Sequence, residues 1–416
     1  MSKKSWLIAM VFLVGNCLAQ SSVKSVNNSN RSKLKIKYKP TLKFKSFYHS
    51  NIDSISNQIR NGSNLAANYQ DINANLQLRE KYGPLKGITD LSLRSLIELN
   101  TPGSINNNGV ESESSSDRIK DGSLSLKQSI VFPKLGSHTF GVAGKLEQVK
   151  GYKREYNFED GDEEKFEVVI QDASAYEVGV LDRHKWTKSF ISIYSYQLIV
   201  KDYTDDYTVF LDDEENDFFV HQYKIDNALK ITSNLKFKAN LMYAQKTYAQ
   251  RRALDREGSL MSLDGYQSEV DRTYTLRTLA LDRYSFSPSM MLKNEKIKLD
   301  IALPYERQVD KVYGADTYTR FTQKVSMSYE FFPKRNILFS SGQSTRTFDH
   351  QTDDIEKNGD KLVENRKSFG LGLSLKEVFR KKDQLSLNYE NVAMRSNRKL
   401  AEYDASQVAL NLSFAL

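Results

Sequence analysis

Five ammonium groups recur on one parity between Leu34 and Tyr48: Lys35, Lys37, Lys39, Lys43 and Lys45. The alternate positions read Leu34, Ile36, Tyr38, Pro40, Leu42, Phe44, Ser46 and Tyr48. A period of two makes this a β-strand with one lysine face and one apolar face. Same-face residues on a strand stand about 6.6–6.8 Å apart, so the lysines form a basic stripe rather than a point cluster. Such a row raises the local concentration of anions. Its expected chemistry is electrostatic attraction of a passing solute, with no bond made or broken.

No other group of side chains offers a sharper site. The histidines, His49, His138, His184, His221 and His350, are scattered among expected loops, turns and strand ends. An outer-loop pair, Asp349-His350, together with Asp212-Asp213 in another loop, is the one conceivable acid–base set, and nothing in the sequence fixes the distance between them. The acidic runs Glu159–Glu164 and Asp212–Glu215 offer carboxylates, the natural ligands of calcium, but lack the spacing of a calcium loop. They read as solvated loop charge. There is no glycine-rich phosphate loop, zinc spacing or nucleic-acid module. The expectation is therefore no enzyme, no catalytic residue, no metal, no cofactor and no nucleic-acid partner.

A lysine face cannot lie in a dry core, and the facing side is too apolar for a solvated sheet edge. A transmembrane β-barrel satisfies both, with apolar residues against lipid and the polar face lining a watery lumen. The rest of the 416-residue chain follows the same rule. Alternating segments include Ile72–Leu78, Leu124–Phe132, Phe190–Val200, Leu235–Tyr243, Ile297–Leu303, Phe369–Leu375 and Val408–Leu416. They predict about sixteen antiparallel strands joined alternately by short turns and long loops, an all-β up-and-down barrel. Turn signals include Tyr82-Gly83-Pro84, Pro133-Lys134-Leu135-Gly136, Arg183-His184-Lys185, Thr232-Ser233-Asn234 and Arg380-Lys381-Lys382-Asp383. The long connections include Asn100–Gly122 and Thr345–Arg366, both Ser/Asn/Asp-rich or charged.

The composition agrees. Mean hydropathy of −0.57 argues against a helical membrane protein but not against a barrel with polar loops, and the net charge of +8 suits an anionic partner. The 23 tyrosines and 21 phenylalanines suit strands and interfacial belts. Lys3 and Lys4 precede the apolar run Trp6–Val14 and then Cys17-Leu18-Ala19-Gln20. This is the pattern of a secretory signal peptide over 1–19, cut after Ala19. Cleavage there removes the sole cysteine, and Asn16 is a poor residue ahead of a lipidated Cys17. Residues 20–33 are read as a short periplasmic lead, and 34–416 as the barrel.

The signal peptide, the alternating segments and the apolar-alternating last strand together resemble Gram-negative outer-membrane β-barrels of general-porin size. Such barrels usually end on an aromatic residue; here Phe414 is followed by a terminal Leu416. The resemblance implies an outer-membrane channel with both termini periplasmic, contact with outer-membrane lipid and lipopolysaccharide, and insertion by the barrel-assembly machinery. It also admits a homotrimer. With the lysine stripe on the lumen wall, the expected function is passive or selective diffusion of small anionic solutes. Lys127, Lys145, Lys236, Lys238, Lys298 and Lys324 also fall on inward parity, while Asp90, Glu98, Glu147 and Asp300 are acids placed to answer them. The alternative is a barrel plugged by its loops and used for surface interaction, adhesion or export assembly.

Overall fold

The computed structural model describes residues 35–50, 67–99, 118–157, 165–170, 173–203, 217–252, 278–311, 316–352, 361–396 and 402–415. The signal region 1–19, the lead 20–33 and both acidic loop centres lie outside them. Every regular element among the described residues is a strand. In chain order these are β1 (Lys35–His49), β2 (Ala67–Tyr82), β3 (Leu85–Leu99), β4 (Arg118–Val131), β5 (His138–Asn157) and β6 (Lys165–Ile170). Then come β7 (Ala173–Lys185), β8 (Phe190–Tyr203), β9 (Phe218–Lys230), β10 (Leu235–Arg252), β11 (Thr278–Lys293) and β12 (Ile297–Ala302). The last are β13 (Tyr305–Asp310), β14 (Tyr318–Phe332), β15 (Arg335–Thr352), β16 (Lys361–Lys376), β17 (Gln384–Ser396) and β18 (Tyr403–Ala415).

Each strand pairs antiparallel with its neighbours, and β1 pairs with β18, so the sheet closes. Closure removes the exposed edges that a long apolar sheet would otherwise offer. The wall has 16 strands. Strands β12 and β13 are two halves of one wall strand, because both continue a single register against β11 and against β14. Leu303 and Pro304 separate them; Pro304 has no N–H to give to a ladder. The Leu303 N–H still donates to the Pro288 carbonyl at 3.0 Å, so the wall stays continuous. Strand β6 pairs only with the outer end of β5 (Tyr152–Asn157), a hairpin rising above the wall.

The register divides each strand cleanly. Leu91, Leu93, Leu124, Leu126, Val178, Val180, Leu371, Leu373, Val408 and Leu410 all point outward and are exposed. Only lipid makes such a surface stable, which is why these large apolar side chains need no core. A row of outward tyrosines crosses four adjacent strands: Tyr196, Tyr223, Tyr243 and Tyr284, with ring centroids 5.0, 6.1 and 5.1 Å apart. This is one segment of an interfacial aromatic belt.

Two local devices make the short turns. Four carry a residue in the left-handed region: Gly83, Gly136, Lys334 and Glu377, with φ of 57, 59, 68 and 59°. The other three are held by a side-chain oxygen that accepts two backbone N–H groups. Thr187 Oγ1 accepts from Ser189 and Phe190, Thr232 Oγ1 from Asn234 and Leu235, and Asn294 Oδ1 from Lys296 and Ile297.

Several sequence boundaries move. Arg183, His184 and Lys185, expected as a turn, complete β7, and the turn is Trp186–Ser189. Asp349 and His350, expected in a loop, lie in β15, whose pairing runs on to Thr352 opposite Lys361. Strand β4 likewise begins at Arg118, inside the expected loop. Barrel strands project past the membrane, where alternation no longer needs apolar residues, so hydropathy understates their length.

Candidate functional site: the lumen wall

The inward face of β1 carries Lys35, Lys37, Lys39, Thr41, Lys43, Lys45, Phe47 and His49. Opposite it on β2 stand Lys81, Arg79, Gln77, Asn75, Asn73, Asp71, Tyr69 and Ala67. On the β18 side, Ser413, Asn411, Ala409 and Gln407 face Lys43, Lys45, Phe47 and His49. The stripe thus runs between two largely neutral polar strands. Lys37, Lys39 and Lys43 are exposed. Each lacks a hydrogen bond or ion pair to any described side chain. Lys45 is deeper: its Nζ donates to Gln407 Oε1 at 3.2 Å and lies 4.4 Å from the centroid of Phe47. Lys35 holds the first inward register position, opposite Lys81.

The inward acids are engaged elsewhere. Arg94 of β3 takes Asp71 at 3.1 Å and Asp121 at 3.3 Å, so the carboxylate facing Lys45 in register is held by another cation. Lys145 binds Glu147 at 2.7 Å and Glu177 at 3.5 Å. Lys298 binds Asp300, and Lys224 binds Asp226, each at 2.8 Å. Asp90 accepts a bond from Gln77 at 2.9 Å. Glu306 gathers Arg283, Arg320 and the Tyr318 hydroxyl. Asp90, Glu147 and Asp300, the acids that the sequence offered as an alternative means of neutralising the stripe, have these other partners; the Glu98 side chain lies outside the described set.

Further features were not foreseen. Towards the loop end, inward aromatics carry cations on their faces. Lys246 lies 3.8 Å from the centroid of Phe218 and 4.1 Å from that of Tyr248. Arg346 lies 3.9 Å from Tyr318 and 4.2 Å from Phe348. Phe47 stacks on Tyr69 at 5.1 Å beside Leu96 and Ala409. Inward parity marks each of these residues, but their meeting depends on strand order. Across β14 to β16 several inward residues are small, including Ser326, Ser328, Ser340, Gly370 and Gly372. They leave a recess of about 510 Å³ reached by Lys45 and Glu390. A Cβ on Gly372 would lie 2.3 Å from Asn388 Oδ1, so that amide occupies the space a side chain would take.

The histidines are less scattered than expected. His138 and His184 are cross-strand partners on the outward face at the turn end. Asp182 Oδ2 lies 2.8 Å from His138 Nδ1, and His138 Nε2 lies 2.8 Å from His184 Nδ1. The proposed acid–base partner Asp349 instead accepts from Arg307 at 2.9 Å, and Asp212-Asp213 lies outside the described residues. Among the described residues no group of three or more histidine, cysteine or acidic side chains is arranged to hold a metal. At the loop-side rim, a hydrogen bond from Lys311 to Asp282 raises the Lys311 ammonium above its ordinary pKa.

No protein-family model and no curated protein sequence matches the chain. Solved structures do. OccK3 (OpdO) of Pseudomonas aeruginosa is 13% identical, with 91% of this chain and 96% of that one covered at a TM-score of 0.45. OccAB3 of Acinetobacter baumannii is 9% identical, covering 91% and 100% at 0.49. A loop-deletion mutant of OmpT, an outer membrane protein of Vibrio cholerae, is 8% identical, covering 92% and 99% at 0.46. In architecture the chain resembles Gram-negative outer-membrane porins. The likeness is one of barrel form.

Proposed function

We propose that the protein is a porin-like channel of a Gram-negative outer membrane, passing small solutes with a preference for anions. The observation that carries the anion preference is the unanswered charge of Lys37, Lys39 and Lys43 on the inward wall, while the nearby carboxylate Asp71 is held by Arg94. Fixed charge along a water-filled path enriches counter-ions and selects among permeant ions. On this reading the short turns and both chain ends face the periplasm, the exposed apolar band meets lipid, and the loop-side rim meets lipopolysaccharide. Insertion falls to the barrel-assembly machinery, and a homotrimer remains to be tested by native mass in detergent.

The test is single-channel recording of the refolded barrel in a planar bilayer under a salt gradient. An anion-selective reversal potential that collapses when Lys35, Lys37, Lys39, Lys43 and Lys45 are changed to glutamine supports the proposal. Open steps with no anion preference would remove the lysine argument and leave a channel. A second reading draws on the inward apolar clusters at the loop end, where Tyr69, Leu96, Leu279 and Leu362 are buried although they face the lumen. It holds that the barrel is closed there and serves surface interaction, adhesion or export assembly. A folded barrel that conducts nothing would favour it.

A further inference from the structure

The turn between β16 and β17, Glu377–Asp383, overhangs the lumen mouth beside β1. Between them lies a cleft of about 550 Å³ lined by five lysines: Lys39 and Lys43 of β1, Lys376 at the end of β16, and Lys381 and Lys382 of the turn. The register explains the convergence. Lys376 faces Gln384, Gln384 faces Ser413, and Ser413 faces Lys43, a single row across four strands. Three strand spacings put Lys376 and Lys43 about 14 Å apart along the wall. Curvature of the barrel and two flexible stems bring both ammonium groups towards the same space.

The cleft's two acids, Glu377 and Asp383, are outnumbered by its five lysines. Glu377 is ion-paired with Lys334 of the neighbouring turn. Asp383 is 1% exposed and fixes the turn through its backbone: its carbonyl accepts from the Glu377 N–H at 2.6 Å, and its N–H donates to the Arg380 carbonyl at 3.0 Å. Among the described residues none of the five lysine side chains has a hydrogen-bond or ion-pair partner. Asn75, Gln77 and Gln384 add neutral donors to the same cleft. No arginine lines it, so the flat fork that suits a carboxylate is missing. Separate point charges with three donors each suit an anion whose charge is spread over several tetrahedral centres.

We propose that this cleft is a binding site for a multivalent phosphoanion of about the size of pyrophosphate, at the turn end of the lumen. Lys39, Lys43 and Lys376 hold inward register positions, so the site opens to the pore and not to lipid headgroups. It deepens the anion-channel reading and rests on it for the ligand's route, though not for binding itself.

The test is isothermal titration of pyrophosphate into the full refolded chain in detergent. Saturable binding of one equivalent is expected, weakened about tenfold in K381Q/K382Q by loss of two charge-assisted contacts. K238Q, an inward lysine on β10 across the barrel from β1, is expected to bind as the wild type does. If the double variant does not refold, K376Q in the same titration takes its place. No saturable binding, unchanged affinity in the cleft variants, or equal binding of citrate would overturn the site. Because titration needs no ion flow, the two readings fail separately. A selective channel that ignores pyrophosphate refutes only the site, and a barrel that binds it without selectivity refutes only the channel preference.

Discussion

The lumen lysines differ in what surrounds them, and that difference decides what each can do. Lys45 lies between Phe47 and Gln407, whereas Lys37, Lys39 and Lys43 extend into solvent. Arg94 controls how much of that charge is felt, since it occupies Asp71 and Asp121. Replacing Arg94 by glutamine is expected to release Asp71 towards Lys45, its register partner, and to shift the reversal potential towards cations, read in the same bilayer under the same gradient. The pair is partly exposed, so the accompanying loss of stability should be near 1 kcal/mol or less in urea unfolding. The stripe itself was legible in the sequence because parity alone puts five lysines on one wet face. The partners of the acids were not. A strand's period says which side a carboxylate faces, while the cation it meets depends on register with neighbours that sequence does not reveal.

At the scale of elements, the short turns are the most specific feature of the sequence. Gly83 sits at φ 57° with nothing within 4 Å of an added Cβ, so the penalty for a side chain there is conformational, not steric. Gly83→Ala is expected to destabilise the β2–β3 hairpin by about 1 kcal/mol, measured by urea titration of the folded fraction. Gly370 offers the opposite case. It lines the recess of small residues, where the nearest atom to a Cβ is the flexible Ser340 Oγ. Gly370→Phe is expected to fill part of that recess and lower single-channel conductance while the barrel still folds. Strand number and alternation were readable because each wall strand obeys the same period. The β5–β6 hairpin was hidden because no apolar face is required above the membrane. The split of β12 from β13 was hidden because Leu303 keeps the alternation through Pro304.

For the whole molecule, the preference for anions should depend on salt. On the proposed reading the stripe lines a wet lumen, so its field is screened over a Debye length of about 10 Å at 0.1 M and 3 Å at 1 M. Selectivity measured across a fixed concentration ratio is therefore expected to be strongest in dilute salt and to approach neutrality near 1 M. Preference unchanged across that range would point to a narrow, dry constriction instead.

Closure of the wall has an asymmetry at its seam. Strand β18 pairs with β1 only from Thr41 to His49, whereas β2 pairs with it from Lys35 onwards. Among the described residues, 35–40 pair with β2 alone. Proline at 40 has no N–H to donate there, and the like charges of Lys37 and Lys39 would disfavour an incoming copy of the same segment. The first lysines of the stripe are therefore expected to do a second job that has nothing to do with solutes, disfavouring aggregation at the joint of the barrel before the wall has closed, and K37Q/K39Q should scatter more light during refolding if they do.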